Sequence, residues 1–329
     1  MSSRPLFVFI LVLCLLLPGM ATSGPDTVVQ DGAAHDLLAG GQVNDAIRSL
    51  SLRIAADPQD AEAYHLLSRA YYEVEQWDQS IAAAQHAVLL RPQSSEYHLW
   101  LARAYGNKAE HSMWFTAISL AKKARVEFER AVELDAANVD ARADLAEYYV
   151  EAPGFLGGGK DKARAQAEQL AAYDESAAHW VKARLAEKDS RLIEAEQEYK
   201  AAIAASPAPG GEWLNLAAFY RHQKRYKEME DAINHAVSFG TKKTNVLYEA
   251  ASLLYRAGRN FPGAAQLVRA YLNSKPHDEQ APAFQAHYLL GQILEKQGDK
   301  RAAADEYRAA LSLASDYREA REALKRMGQ

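Results

Sequence analysis

The sequence predicts an all-α protein, a solenoid of about eight stacked helix hairpins closed by one further C-terminal helix. Three observations lead there. Alanine and glutamate are abundant while glycine (18) and proline (11) are concentrated in a few places, a composition that favours helices. Of the 329 residues, 49% are apolar, enough to bury a substantial core. A pattern of aromatic, leucine, small residue and tyrosine, followed by alanines and a closing proline, returns along the chain, and Pro58 and Pro92 stand 34 residues apart.

The second unit is "AEAYHLLSRAYYEVEQWDQSIAAAQHAVLLRP". Tyr64, Leu67, Ser68 and Tyr71 share one helix face, Ser80, Ala84 and Ala87 run along a second helix, and Pro92 ends it. The first unit keeps Ala46, Leu50 and Pro58. The third opens with His98, Leu101, Ala102 and Tyr105 and closes through Ala124, Phe128 and Ala131. Leu145, Ala146 and Tyr149, then Ala163, Ala167 and Leu170, mark the fourth; Ala183, Ala195, Tyr199, Ala202 and Pro207 mark the fifth. Trp213, Leu216, Ala217 and Tyr220 give the sixth, Ala251, Ala264 and Pro276 the seventh, and Leu290, Gly291, Ala303, Tyr307 and Ala310 the eighth. Residues 317–327 form one more helix over the last open face. The small side chains at Ser68, Ala102, Ala146, Ala217 and Gly291 let the paired helices approach closely, while neighbouring aromatics fill the space between units.

This order resembles the 34-residue tetratricopeptide repeat, strongly in the second, third, sixth and eighth units and weakly in the first and seventh, over nearly all of residues 31–329. The resemblance implies a right-handed superhelix. Its units cannot bury their apolar stripes alone, so they stack into an elongated body in which each touches mainly its neighbours. It also implies a non-enzymatic protein–protein interaction scaffold, in which the first helix of each unit lines a concave groove that holds an extended peptide or a partner helix.

Residues 1–23 read as a secretory signal. Arg4 precedes an unbroken apolar run from Leu6 to Leu17, and small residues then place cleavage after Ala21 or Ser23. Twelve apolar residues fall short of the roughly 20 that span a bilayer. Residues 24–30 are expected to be a flexible lead-in. Cys14, the single cysteine, follows Val12 and Leu13 rather than a small residue, which argues against lipidation. The mature chain then has no cysteine, excluding disulfides, cysteine catalysis and thiolate zinc sites. Export to a bacterial periplasm or medium is the expectation, with membrane contact only through this segment if it stays uncleaved.

Charge narrows the partners. With 38 basic and 43 acidic residues the net is −5, so no global field draws the chain to nucleic acid. The 10 histidines form no H-E-x-x-H or similar set and most of them are expected to face solvent; no metal or cofactor is expected. Carboxylates stand beside Lys and Arg at helical spacing, as in "REAREALKRM", and serve as solvated ion pairs.

The stretch "PGFLGGGKD" (153–161) comes near the glycine-lysine loop that cradles nucleotide phosphates. That loop needs a preceding strand and a hydroxyl after the lysine; here a helix precedes, and Asp161 would repel the phosphates. The plainer reading is a hairpin turn five residues longer than usual, with Pro153 ending one helix and Asp161 capping the next. A nucleotide-binding or small-ligand enzyme with its site here is the alternative to the scaffold. The preceding unit is longer by ten residues at the equivalent turn, about 106–121, where Met113, Trp114, Phe115 and Ile118 lie. Both insertions must emerge on one edge of the stack, so Phe155 and Leu156 are expected beside Trp114 and Phe115 as an apolar knob. An internal brace is the expected role and a docking site the alternative.

In the groove, Arg69 and Arg103 occupy matching positions of successive units, followed by Glu147, and the arginines form a short basic row able to grip a carboxylate. Chaperone-binding members of the family place a lysine after the first anchor and an asparagine four residues on; this chain has His65 with Arg69, then Leu99 with Arg103. The expected sites are therefore protein-binding ones: His65, Arg69, Arg103 and Glu147 in the groove, with Trp114, Phe115, Phe155 and Leu156 on the insertion edge. Self-association through an uncapped end is a further expectation.

Overall fold

Short polar side chains start the first helix of successive hairpins. Asp60, Ser94, Asn138 and Asp174 each accept a hydrogen bond from the backbone N–H three residues on, satisfying a donor the helix leaves unpaired. The computed structural model describes residues 33–239, 245–274 and 281–328. The signal and lead-in expected over 1–30, with Cys14, and the closing Pro276 lie outside the described residues.

The helices pair in order. They are α1 (33–39) with α2 (Val43–Ala56), α3 (Ala61–Glu73) with α4 (Trp77–Leu90), α5 (Ser95–Glu110) with α6 (Trp114–Leu134), and α7 (Val139–Glu151) with α8 (Lys160–Leu170). Next come α9 (Glu175–Lys188) with α10 (Leu192–Ala205), α11 (Gly210–His222) with α12 (Tyr226–Phe239), α13 (Asn245–Ala257) with α14 (Phe261–Asn273), and α15 (Ala283–Gln297) with α16 (Lys300–Leu313). The expected eight hairpins and the final helix, α17 (Arg318–Arg326), are present, and the chain is a right-handed all-α solenoid. Consecutive first helices touch one another and consecutive second helices do not to a comparable degree, so the odd-numbered helices line the inside of the curve.

Close approach explains the small residues. Ser68 and Ser80 are buried with their hydroxyls 3.2 Å apart across α3 and α4. In the eighth unit a Cβ on Gly291 would sit 2.5 Å from the ring of Tyr307, so only hydrogen fits there. Tyrosines then tie one unit to the next: Tyr149 donates to Glu129 (2.8 Å) and Tyr220 to Glu196 (2.9 Å).

Some histidines face solvent as expected (His86, His111, His222 and His235), but others are held between helices. His98 meets Glu127 at 2.5 Å, His179 meets Glu198 at 2.6 Å, and His287 meets Glu306 at 2.6 Å, each joining the first helix of a unit to its second. The separations are 29, 19 and 19 residues, and the excess of ten in the third unit equals its insertion.

That insertion is not a turn. Residues 106–110 continue α5 and 114–121 belong to α6, leaving only 111–113 between them, so the added length goes into two overlong helices of 16 and 21 residues. Intrinsic propensity does not account for this, since Gly106, Asn107, Trp114, Phe115 and Thr116 are weak helix formers; the overlong pair is held by its mutual contact.

The ends of the solenoid meet, which corrects the expected elongated body, although units elsewhere touch mainly their neighbours as expected. In the α1–α2 turn Gly41 has φ 68°, and a Cβ there would lie 2.5 Å from the backbone nitrogen of Ala283, at the start of α15. Ser315 donates from its backbone N–H and its hydroxyl to Asn44, both at 3.0 Å, and Gln285 donates to Glu73 at 3.1 Å. Gln76 donates to Asp316 at 3.3 Å, and Arg318 lies 3.5 Å from Glu75. Beneath these contacts Leu38, Leu50, Phe284, Tyr317 and Ala320 share one apolar core. The rotation from unit to unit, summed over the stack, brings the last hairpin onto the turns of the first two.

Candidate functional site

The inner face at the third and fourth units encloses a cavity of about 570 Å³. Its walls come from α3, α5 and α7 through Tyr72, Arg103, Asn107, Glu110, Asp144 and Glu147. The floor is apolar, made by Ala121, Ala124 and Phe128 of α6 and by Leu156 of a single 3₁₀ turn (Gly154–Leu156) that follows α7. Both insertions therefore shape it: the prolonged α5 and α6 deepen one side and the 3₁₀ turn closes the other.

Four carboxylates line the cavity, from Glu110, Asp144, Glu147 and Glu151, against one guanidinium, Arg103. Arg103 donates to Asp144 at 2.7 Å. Burial pushes the Asp144 carboxyl up, and the Arg103 charge only partly offsets that. Burial works against the Arg103 charge in turn, but Asp144 and Asp140 outweigh it and raise its pKa. Arg184 of the next unit holds Glu147 at 2.8 Å and Glu151 at 3.2 Å from behind, and Lys188 reaches Glu151 at 2.6 Å. Glu110, at the mouth, makes no hydrogen bond or ion pair among the described residues.

The predicted groove residues separate. Arg69 and Arg103 are brought together by a residue that sequence reasoning passed over, Trp100, whose ring lies 4.7 Å from one guanidinium and 5.0 Å from the other. Trp100 sits one helical turn before Arg103, and that spacing was the available signal. Since Arg103 is taken up by Asp144, the pair is not the open basic row that would grip a carboxylate. His65 is only 4% exposed and stacks on Tyr97 at 4.7 Å, so it supports the junction between units rather than presenting itself to a partner.

The insertion edge is as inferred in its pairing and different in its setting. Trp114 and Phe155 have ring centroids 6.3 Å apart. They are 64% and 61% exposed, while Met113 and Phe115 reach 86% and 87%, so this cluster is not an internal brace. Leu156 turns away from it, into the cavity.

The glycine loop is a helix connection. Helix α7 precedes it, Gly157 takes φ 91°, and a Cβ on Gly158 would collide with the Ala152 carbonyl, which accounts for the glycine run. Lys160 is engaged by Asp189. Asp161 does not cap α8, whose N-cap is Gly159, but accepts from Arg164 at 2.6 Å. Among the described residues no group of His, Cys, Asp and Glu is arranged to hold a metal ion.

Family models of the tetratricopeptide repeat match residues 284–317, 65–108 and 157–209. No curated protein matches the sequence significantly. Among solved structures, yeast Tom70 is 15% identical, with 92% of this chain and 60% of that chain covered and a TM-score of 0.55. A thermophilic protein of the same repeat class from Thermus thermophilus is 19% identical, covering 58% of this chain and 97% of that chain with a TM-score of 0.49. The Tom70 likeness supports the fold alone.

Proposed function

We propose, from the premise that this chain is a tetratricopeptide repeat protein and so belongs to a family of protein–protein interaction scaffolds, that it holds a segment of a partner protein in the inner groove at the third and fourth units. The cavity carries the reading. Its volume of about 570 Å³ is in the range of roughly 300–1,000 Å³ that specific pockets occupy. An apolar floor under a mainly acidic wall suits a lysine or arginine side chain, whose alkyl stem packs on Phe128 and Leu156 while its charge meets Glu110. A phosphate or a C-terminal carboxylate would face the same carboxylates and be repelled.

The family's general lack of catalysis agrees with a holding role. The apolar run at Leu6–Leu17 supports work in a bacterial cell envelope or outside the cell.

Gly106 gives the test. It lines the cavity, and a Cβ there would meet nothing within 4 Å, so a larger side chain fills the cavity without disturbing α5. A photo-crosslinking residue at Asn107 is expected to capture a discrete protein in the producing cells, one at exposed Glu168 on the outer helix α8 is not, and Gly106→Trp abolishes the Asn107 adduct while leaving the melting temperature nearly unchanged. Adducts of equal yield from both positions, or an Asn107 adduct indifferent to Gly106→Trp, overturn the reading.

A further inference from the structure

The cluster on the outer edge is open to solvent. Met113, Trp114, Phe115 and Phe155 stand at the start of α6 and in the 3₁₀ turn, all more than half exposed, and none of them lines the cavity.

The charge around them differs from the rest of the chain. Segment 106–126 carries Lys108, Lys122, Lys123 and Arg125 against Glu110, and segment 151–164 carries Lys160, Lys162 and Arg164 against Glu151 and Asp161. Together they are at +4 in a protein whose net charge is −5. Some of these cations are neutralised locally: Lys108 by Asp78, Lys160 by Asp189, Arg125 by Glu129 and Arg164 by Asp161. Lys122, Lys123 and Lys162 have no carboxylate partner among the described residues; Lys123 lies over the Tyr105 ring, and Lys162 donates to the Gly157 carbonyl and lies over the Tyr149 ring.

We infer that this edge is a membrane-docking tip, which buries its aromatic side chains in the interfacial layer of an anionic lipid bilayer and sets Lys122 and Lys123 against the headgroup phosphates. The dimensions agree. Eight residues of α6 separate Trp114 from Lys122, about 12 Å along a helix. Interfacial elements sink roughly 5–10 Å, so aromatics at the acyl boundary leave the lysines at headgroup level. Tryptophan and phenylalanine suit that boundary, and no described helix is long and apolar enough to cross a membrane, so the tip would dock without spanning. None of Met113, Trp114, Phe115, Phe155, Lys122 and Lys123 lines the cavity, so failure here would leave the groove reading intact.

Because the Leu6–Leu17 run can itself bind lipid, the experiment reads the contact of Trp114 with lipid tails, not sedimentation of the protein. The full chain is mixed with phosphatidylcholine–phosphatidylglycerol vesicles whose tails carry bromine, and the Trp114 signal is taken as wild type minus Trp114→Phe. That difference emission is expected to be quenched by the brominated tails and shielded from aqueous iodide. Replacing Lys122 and Lys123 with Gln should weaken the quenching about fivefold per lysine at limiting lipid. Equal quenching in wild type and Trp114→Phe, or a Trp114 signal that stays open to iodide on vesicles, overturns the proposal. A protein captured from position 114 while Trp114 remains unquenched by lipid also overturns it, and assigns the tip to a protein partner.

Discussion

Two stretches of one edge of this solenoid have opposite fates. The intra-hairpin turns of the first and second units lie under the last unit, where Gly41 meets Ala283 and Glu75 meets Arg318, and the aromatics there are covered: Phe284 packs against Tyr317 at 4.9 Å. At the third and fourth units nothing among the described residues covers this edge, and it is here that the overlong α5 and α6 and the longer α7–α8 connection carry Trp114, Phe115 and Phe155 into solvent. Aromatic residues at a repeat position are buried by the next unit or by the returning end of the coil. Aromatics added outside the repeat have no neighbour supplied by the stack, so their exposure marks a surface for something else.

The comparison breaks most visibly on phenylalanine. Phe284 is fully buried between the first and last units, and Phe284→Ala should cost about 3–5 kcal/mol and strip hydrogen-exchange protection from α1, α2 and α17. Phe115→Ala, on the open stretch, should stay within about 0.5 kcal/mol of wild type. Thermal melts with exchange mass spectrometry measure both, and similar losses from the two changes would mean that the ends do not meet in solution. A smaller effect belongs to Gly291→Ala, where a Cβ at 2.5 Å from Tyr307 forces that ring aside. About 1–3 kcal/mol is expected, read as a lower melting temperature, with the loss confined to α15 to α17.

What the sequence made legible follows from how local the physics is. Ser68 and Gly291 could be assigned because the approach of two helices is decided within one hairpin. The meeting of Trp114 with Phe155 could be inferred because insertions at matching turns share an edge. The His–Glu ties were hidden by the insertion itself: the 19-residue spacing of His179 and Glu198 recurs in the third unit only when ten residues are discounted. The lengthening of α5 and α6 was misread as a turn because Met113, Trp114 and Phe115, apolar and out of repeat register, gave no sign that helix continued on both sides. Closure was out of reach, since Leu38, Phe284 and Tyr317 look like ordinary stacking residues and the summed rotation that joins them is not written in any one unit. In the candidate site, Arg103 and Glu147 were legible as inner-face residues. Their pairing with Asp144 and Arg184 depends on neighbours 41 and 37 residues away.

The finest test of the comparison is a titration at the covered stretch. Burial raises the Glu75 carboxyl above its ordinary value, as do the charge of Glu319 and hydrogen bonding with it, while Arg318 and His111 only partly counter this. A carboxyl with a raised pKa binds more protons in the folded chain than in the unfolded one between its unfolded value of about 4.5 and the raised value. Its contribution is therefore most favourable at low pH and is lost as pH rises through that window, leaving a penalty at neutrality. Glu75→Gln removes the charge and keeps the shape, so it should raise the melting temperature slightly at pH 7 and change it little near pH 4, with the added protection appearing at α17. A Glu75→Gln protein less stable than wild type at pH 7 would mean that the Arg318 pair outweighs the repulsion and that the closure is held by charge rather than by its apolar core.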